Sequence, residues 1–155
     1  MDAGCQICRY LTDGTTPLIE SDHWVGYLSP DQGYLGHTFI ELRRHEPSLT
    51  GLSEPEWSDL HQVISRFEHA IRLSFDAQVF NWVCLMNDAF KSDDPRPHVH
   101  WKVRPRYARP VQIGPAQFSD PNFAHHYDKA HDRDHVAPLG EPLRESIETA
   151  IKKNL

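Results

Sequence analysis

The stretch His98-Val99-His100-Trp101-Lys102-Val103-Arg104 alternates without a break between imidazole or cationic side chains and apolar ones. That alternation predicts a β-strand with two unlike faces. Side chains on a strand point alternately to opposite sides, so His98, His100, Lys102 and Arg104 share one face while Val99, Trp101 and Val103 pack on the other. Same-face neighbours stand about 6.8 Å apart, close enough for adjacent histidines to serve one bound phosphate group. Imidazole can act as a nucleophile toward phosphorus, and its near-neutral pKa lets a second group donate or accept protons. The charge of Lys102 suits a phosphoryl oxygen or a departing group.

Working outward, Trp24-Val25-Gly26-Tyr27-Leu28, the turn formers Ser29-Pro30-Asp31-Gln32-Gly33 and the run His37-Thr38-Phe39-Ile40-Glu41-Leu42 read as a hairpin. Ser53, Glu54 and Pro55 open a segment in which Trp57, Leu60, Ile64, Phe67 and Ile71 recur at steps of three and four. The spacing predicts an amphipathic helix over 55–74, its stripe facing the core or a partner subunit. Val79 to Met86 is almost wholly apolar and reads as a buried strand, with Cys84 in the core. Six of the twelve prolines fall between Pro105 and Pro142, which predicts mostly irregular chain there, and residues 141–153 suit a closing helix.

The chain has 155 residues, 39% of them hydrophobic, with no repeat or Gly/Ser linker, so one domain over 1–155 is expected. Sixteen Lys and Arg against 22 Asp and Glu leave a net charge of −6, which disfavours binding to duplex nucleic acid. No apolar run reaches the roughly 18–20 residues of a membrane span, and no charged region precedes an apolar one at the start. A cytoplasmic protein is expected. Cys5-Gln6-Ile7-Cys8 suits a metal clip or redox pair better than a disulfide framework.

Taken in order, these motifs resemble the histidine triad (HIT) superfamily of nucleotide hydrolases and nucleotidyl transferases. The resemblance rests on Gly36-His37-Thr38-Phe39-Ile40-Glu41-Leu42-Arg43-Arg44-His45, on Asn87 eleven residues before His98, and on the strand from His98 into Pro105-Arg106. With Cys5 and Cys8 it covers about residues 5–107, leaving 108–155 as a C-terminal wrap and helix. It implies an α+β fold with a mostly antiparallel sheet of about five strands, one long amphipathic helix, an irregular tail and a homodimer. It further implies that His100 is the nucleophile that takes a nucleoside monophosphoryl group. His37 would support the triad and Asn87 would lie near phosphate and ribose, with His98 also at the nucleotide. In zinc-containing relatives the matching positions, Cys5, Cys8, His45 and His98, form a closed structural site. The substrate implied is a nucleotide conjugate: a dinucleoside polyphosphate, a phosphoramidate or a nucleotide sugar.

Two positions depart from the family pattern. The third triad residue, usually histidine or glutamine, is Lys102, which has three donors and no acceptor. The ribose-binding acid, usually eight residues before the upstream histidine, is Ser29, with Asp31 two positions later. A nucleotide-binding module without turnover is therefore one alternative. A metal-dependent hydrolase with catalytic zinc on His37, His98 and His100 is another, since two histidines at alternate strand positions can chelate one metal. The His- and Asp-rich run 125–135 reads more readily as a solvated wrap than as a metal site.

Overall fold

The computed structural model describes residues 1–127 and 140–155. Five strands, β1 (Ile19–Glu20), β2 (Trp24–Leu28), β3 (Thr38–Leu42), β4 (Val79–Val83) and β5 (His100–Arg106), form one sheet in the order β1-β2-β3-β5-β4. Every neighbouring pair is antiparallel. The expected hairpin is β2 and β3, paired from Trp24↔Leu42 to Leu28↔Thr38. Its connection is shaped by buried Gln32, whose amide donates to the carbonyls of Ser29 and His37 at 2.9 and 2.8 Å and accepts from the Gly36 N–H at 2.7 Å. Gly36 itself has φ +78, and a Cβ there would stand 2.9 Å from Ile71 Cδ1, so both the backbone and the packing require glycine.

The long helix is α2 (Glu54–Phe75), preceded by a short α1 (Gln6–Tyr10). Glu56 accepts from the Ser53 backbone N–H at 2.7 Å, closing the first turn of α2, and Asp76 ends it in the left-handed conformation at φ 60. Leu60, Val63, Phe67, Ala70, Ile71 and Phe75 form its buried stripe, with Ile64 at the margin and Trp57 exposed. The stripe packs on Trp24, Leu28, Ile40, Leu42 and Val103 of the sheet. Helix α3 (Glu141–Lys152) closes the same core with Ile147 and Ile151, as its sequence predicts. Each fully buried side chain of this kind contributes about 1.5–3 kcal/mol. None of the described helices is long and apolar enough to cross a membrane.

One expectation needs correction. The run from Val79 is a strand only to Val83, and it lies at the sheet edge rather than in the interior: Val79 is 46% exposed and Cys84 is half-buried, outside the core. An apolar run fixes pairing but not the number of neighbours, and among the described residues β4 has only β5 beside it. Trp82 shows the compromise, with its ring edge-on to Phe67 and its indole N–H donating to Glu68 at 2.9 Å. The described part of the proline-rich stretch is mostly irregular, as expected, apart from one short hairpin. It holds a hairpin of β6 (Val111–Ile113) and β7 (Ala116–Phe118), turning at Gly114.

Arg106, at the end of β5 and 2% exposed, ties down the chain that follows this hairpin. Its guanidinium donates to Asp120 through Nε and Nη2 at 2.6 and 3.1 Å, and to the carbonyls of Asn122 and His125 at 2.6 and 3.0 Å. A fifth bond runs to Asn81 Oδ1 at 2.8 Å. His125 and His126 are exposed, and the rest of the His- and Asp-rich run, from Asp128, lies outside the described residues. Asp120→Ala strands the Arg106 charge in the interior, which costs about 3–5 kcal/mol. Urea unfolding measures this, and a loss below about 1 kcal/mol would show that the wrap does not hang on this pair.

Candidate functional site

The faces of the sheet differ sharply. Opposite α2, the sheet presents Phe39 and Glu41 from β3 and His100 and Lys102 from β5, paired Phe39↔Lys102 and Glu41↔His100. Together with α1 and the turn over Asn87–Lys91 they wall a cavity of about 740 Å³, the size of an ordinary ligand site. His98, His100 and Lys102 line it side by side, as strand alternation requires. Lys102 Nζ lies 5.6 Å from the Phe39 ring centroid and 3.7 Å from Asp88 Oδ2.

The two histidines are held differently. His100 Nδ1 donates to the carbonyl of His98 at 2.8 Å, which fixes the tautomer and leaves Nε2 as the basic nitrogen. Burial lowers the pKa of His100, with Lys102 adding to the effect and Asp88 opposing it, so the imidazole is kept neutral. His98 donates from Nε2 to the Leu42 carbonyl at 2.8 Å, so Nδ1 carries the lone pair. That Nδ1 stands 3.4 and 3.5 Å from the Cys5 and Cys8 sulfurs, and His45 Nδ1 stands 3.6 Å from Cys8. The donor atoms of Cys5, Cys8, His45 and His98 all lie within 4.8 Å of one another and could hold a metal ion. Asp2 Oδ2 lies 3.8 Å from His45 Nε2. The two His98 nitrogens thus face the Leu42 carbonyl and the cysteine sulfurs.

The other residues singled out in the sequence lie around the cavity rather than on its walls. Ser29 and Asp31 shape the loop after β2: the Ser29 hydroxyl accepts from the Asp31 N–H at 3.1 Å and Asp31 from the Gly33 N–H at 3.0 Å. Between them, Pro30 reaches the cavity. Asn87 is exposed, with Met86 and Asp88 on the wall at either side of it. His37 is buried, and its pKa falls to about 3 through desolvation and the nearby Arg104 charge. Its Nδ1 lies 3.3 Å from the Asp31 carbonyl, and its Nε2 has no hydrogen-bond partner among the described residues.

Sequence reasoning passed over Glu41. It is 6% exposed, lines the cavity, and its Oε2 has no hydrogen-bond partner among the described residues. Desolvation, helped by the Asp13 charge, raises its pKa to about 8. An acid between Ile40 and Leu42 was the available signal, although on an alternating strand an acid more often marks the solvent face.

Comparison with solved structures gives the class. A hypothetical histidine triad nucleotide-binding protein of Sulfolobus tokodaii strain 7 superposes with a TM-score of 0.62 at 16% identity, over 96% of this chain and 93% of that one. A Zn-bound histidine triad family protein of Mycobacterium smegmatis gives 0.57 at 18% identity, over 96% and 94%. A uridylyltransferase gives 0.60 at 14% identity, with 97% of this chain covering 46% of that one. No protein-family model matches the sequence, and no curated protein does. The chain has the histidine triad fold.

A carboxyl held at about 8 in the folded protein, against 4.5 ordinarily, keeps a proton that the unfolded chain gives up between those values. Stability conferred by this group is therefore full below about 4.5 and falls as pH rises toward 8, by up to roughly 1 kcal/mol per pH unit. Glu41→Gln accordingly gains on the wild type as pH is raised from 5 to 8 in urea unfolding. A stability difference that stays constant with pH would mean that the carboxyl is ionised throughout.

Proposed function

We propose that the protein binds a nucleotide conjugate and transfers its nucleoside monophosphoryl group through a covalent intermediate on His100. The observation that carries this is the bond from His100 Nδ1 to the His98 carbonyl, which leaves a neutral imidazole with its Nε2 lone pair on the wall of the cavity. Nε2 attacks the α-phosphorus, the N–P bond forms, and the bond to the leaving group breaks. Water or another acceptor then attacks the same phosphorus, breaks the N–P bond and restores the imidazole. Lys102 supplies positive charge to the phosphoryl oxygens. Asn87, Ser29 and Asp31 border the region that nucleoside and phosphate would occupy, and His37 supports the strand beside them. The structural neighbours, among them a protein described as nucleotide-binding and a uridylyltransferase, point the same way.

The reading includes a structural zinc ion on Cys5, Cys8, His45 and His98. Tetrahedral zinc with two thiolates and two imidazoles implies S···N separations of roughly 3.5 Å. Separations of 3.4, 3.5 and 3.6 Å between these donors support that fit. When bound, the ion would cross-link the N-terminal segment to the strand that bears the nucleophile. The reading also includes a homodimer, supported by the open edge of β4 and the exposed Val79.

Intact-protein mass spectrometry after brief incubation with dinucleoside polyphosphates, phosphoramidates and nucleotide sugars, quenched without acid, is expected to show a nucleoside-monophosphate adduct. The adduct is absent from His100→Ala. Neither adduct nor product in the wild type would make this a binding module, whereas product formed equally by His100→Ala would point to metal-activated water. Native mass spectrometry is expected to show two chains per particle and one zinc per chain. Cys8→Ser loses the metal and His100→Ala keeps it; the reverse pattern would move the metal to a catalytic site.

A further inference from the structure

We infer that Glu41 is a catalytic carboxylic acid of this cavity, giving its proton to the group that leaves phosphorus and taking one back from the water that releases the nucleotidyl group. The inference rests on the His100 reading and extends it to the leaving group. Glu41 and His100 are directly opposed on adjacent antiparallel strands, a relation that sets Cβ atoms about 4.5–5.5 Å apart on one face. Both line the cavity. A substrate phosphorus within reach of His100 Nε2 is thus also within reach of a glutamate side chain one strand away.

Three other carboxylates line the same cavity, and each already has a partner. Asp13 accepts from the Thr15 N–H at 2.8 Å, Asp88 pairs with Lys91 at 2.7 Å, and Asp94 pairs with Arg96 at 2.8 Å. Of the four, Glu41 alone is buried and without a hydrogen-bond partner among the described residues. A buried polar atom without a partner costs about 1–3 kcal/mol. A purely structural position between Ile40 and Leu42 would shed that cost by carrying an aliphatic residue.

The surroundings also keep the acid protonated. The charged or titratable groups around it are Tyr10 and Asp13 from α1 and the loop after it, Tyr27 from β2, His100 and Lys102 from β5, and Asp88 from the facing turn. Burial and the Asp13 charge raise its pKa to about 8, so a proton is available near neutrality. In the first step the His100 N–P bond forms, the bond from phosphorus to the leaving atom breaks, and that atom takes the Glu41 proton. In the second step the carboxylate accepts a proton from the attacking water as the N–P bond breaks, which restores both groups. This chemistry favours conjugates whose leaving atom, an amine nitrogen or an alcohol oxygen, is a poor anion. A polyphosphate leaves as a stable anion and needs no such help.

The test compares two probes with one nucleoside monophosphoryl group, a phosphoramidate with an alkylamine leaving group and a p-nitrophenyl ester whose phenolate leaves unprotonated. Leaving-group release is followed in a single turnover. Glu41→Gln is expected to slow the phosphoramidate by about 10²–10⁴-fold and the ester by far less, while Glu41→Asp, which keeps an acid, retains more of the phosphoramidate rate. Equal losses on both probes, or no loss on either, would overturn the role of Glu41 and leave the nucleophile standing. A wild type that forms no adduct and releases nothing from either probe overturns the His100 reading, and the inference with it. Melting temperatures at or above that of the wild type show that the Gln variant is folded.

Discussion

The pairing of β3 with β5 decides what this molecule can do. Its register sets Glu41 against His100 and Phe39 against Lys102. It also brings the Leu42 carbonyl within 2.8 Å of the His98 ring. A slip of one residue would turn the polar set of β5 into the α2 core and expose Trp101 and Val103 on the cavity side. The burial of Ile40, Leu42 and Val103 against Phe67 and Ile71 makes such a slip prohibitive. The hydrophobic face therefore holds the chemical face in alignment, and no residue of the cavity has to set its own position.

His98 joins two parts of the site that would otherwise be separate. Its ring belongs to the cysteine cluster and its carbonyl accepts from His100, so whatever orients the ring also bears on the tautomer of His100. Leu42 contributes the third restraint through its own carbonyl. Side chain and backbone of one residue thus carry restraint from the N-terminal segment to the cavity wall, in the way outer hydrogen bonds orient inner ligands.

Much of this was legible in the chain. Alternation at 98–104 gave the two faces of β5, and the three-four spacing from Leu60 to Ile71 gave α2, because both periods are set by backbone geometry. The Cys5–Cys8 pair was visible as a local motif, whereas the meeting of those sulfurs with His45 and His98 rests on the whole fold. The edge position of β4 was not legible, since Val79–Val83 has the same composition with one neighbour or two. Nor was the Arg106–Asp120 pair, which joins residues fourteen apart across an intervening hairpin. Glu41 escaped notice because its meaning depends on what lies across the strand from it.

The cysteine cluster also bears on the order in which the molecule is completed. Cys5 meets a partner 93 residues further along the chain, and Cys8 one 90 residues further. Loop-closure entropy makes contacts of such span late to form unless other structure has already drawn the ends together. Here that structure is the sheet itself, which must place β5 against β3 before His98 can face the sulfurs. The segment that carries Cys5 and Cys8 is consequently secured among the last, and until then two thiols stand in the reduced, uncommitted state with their imidazole partners still to arrive.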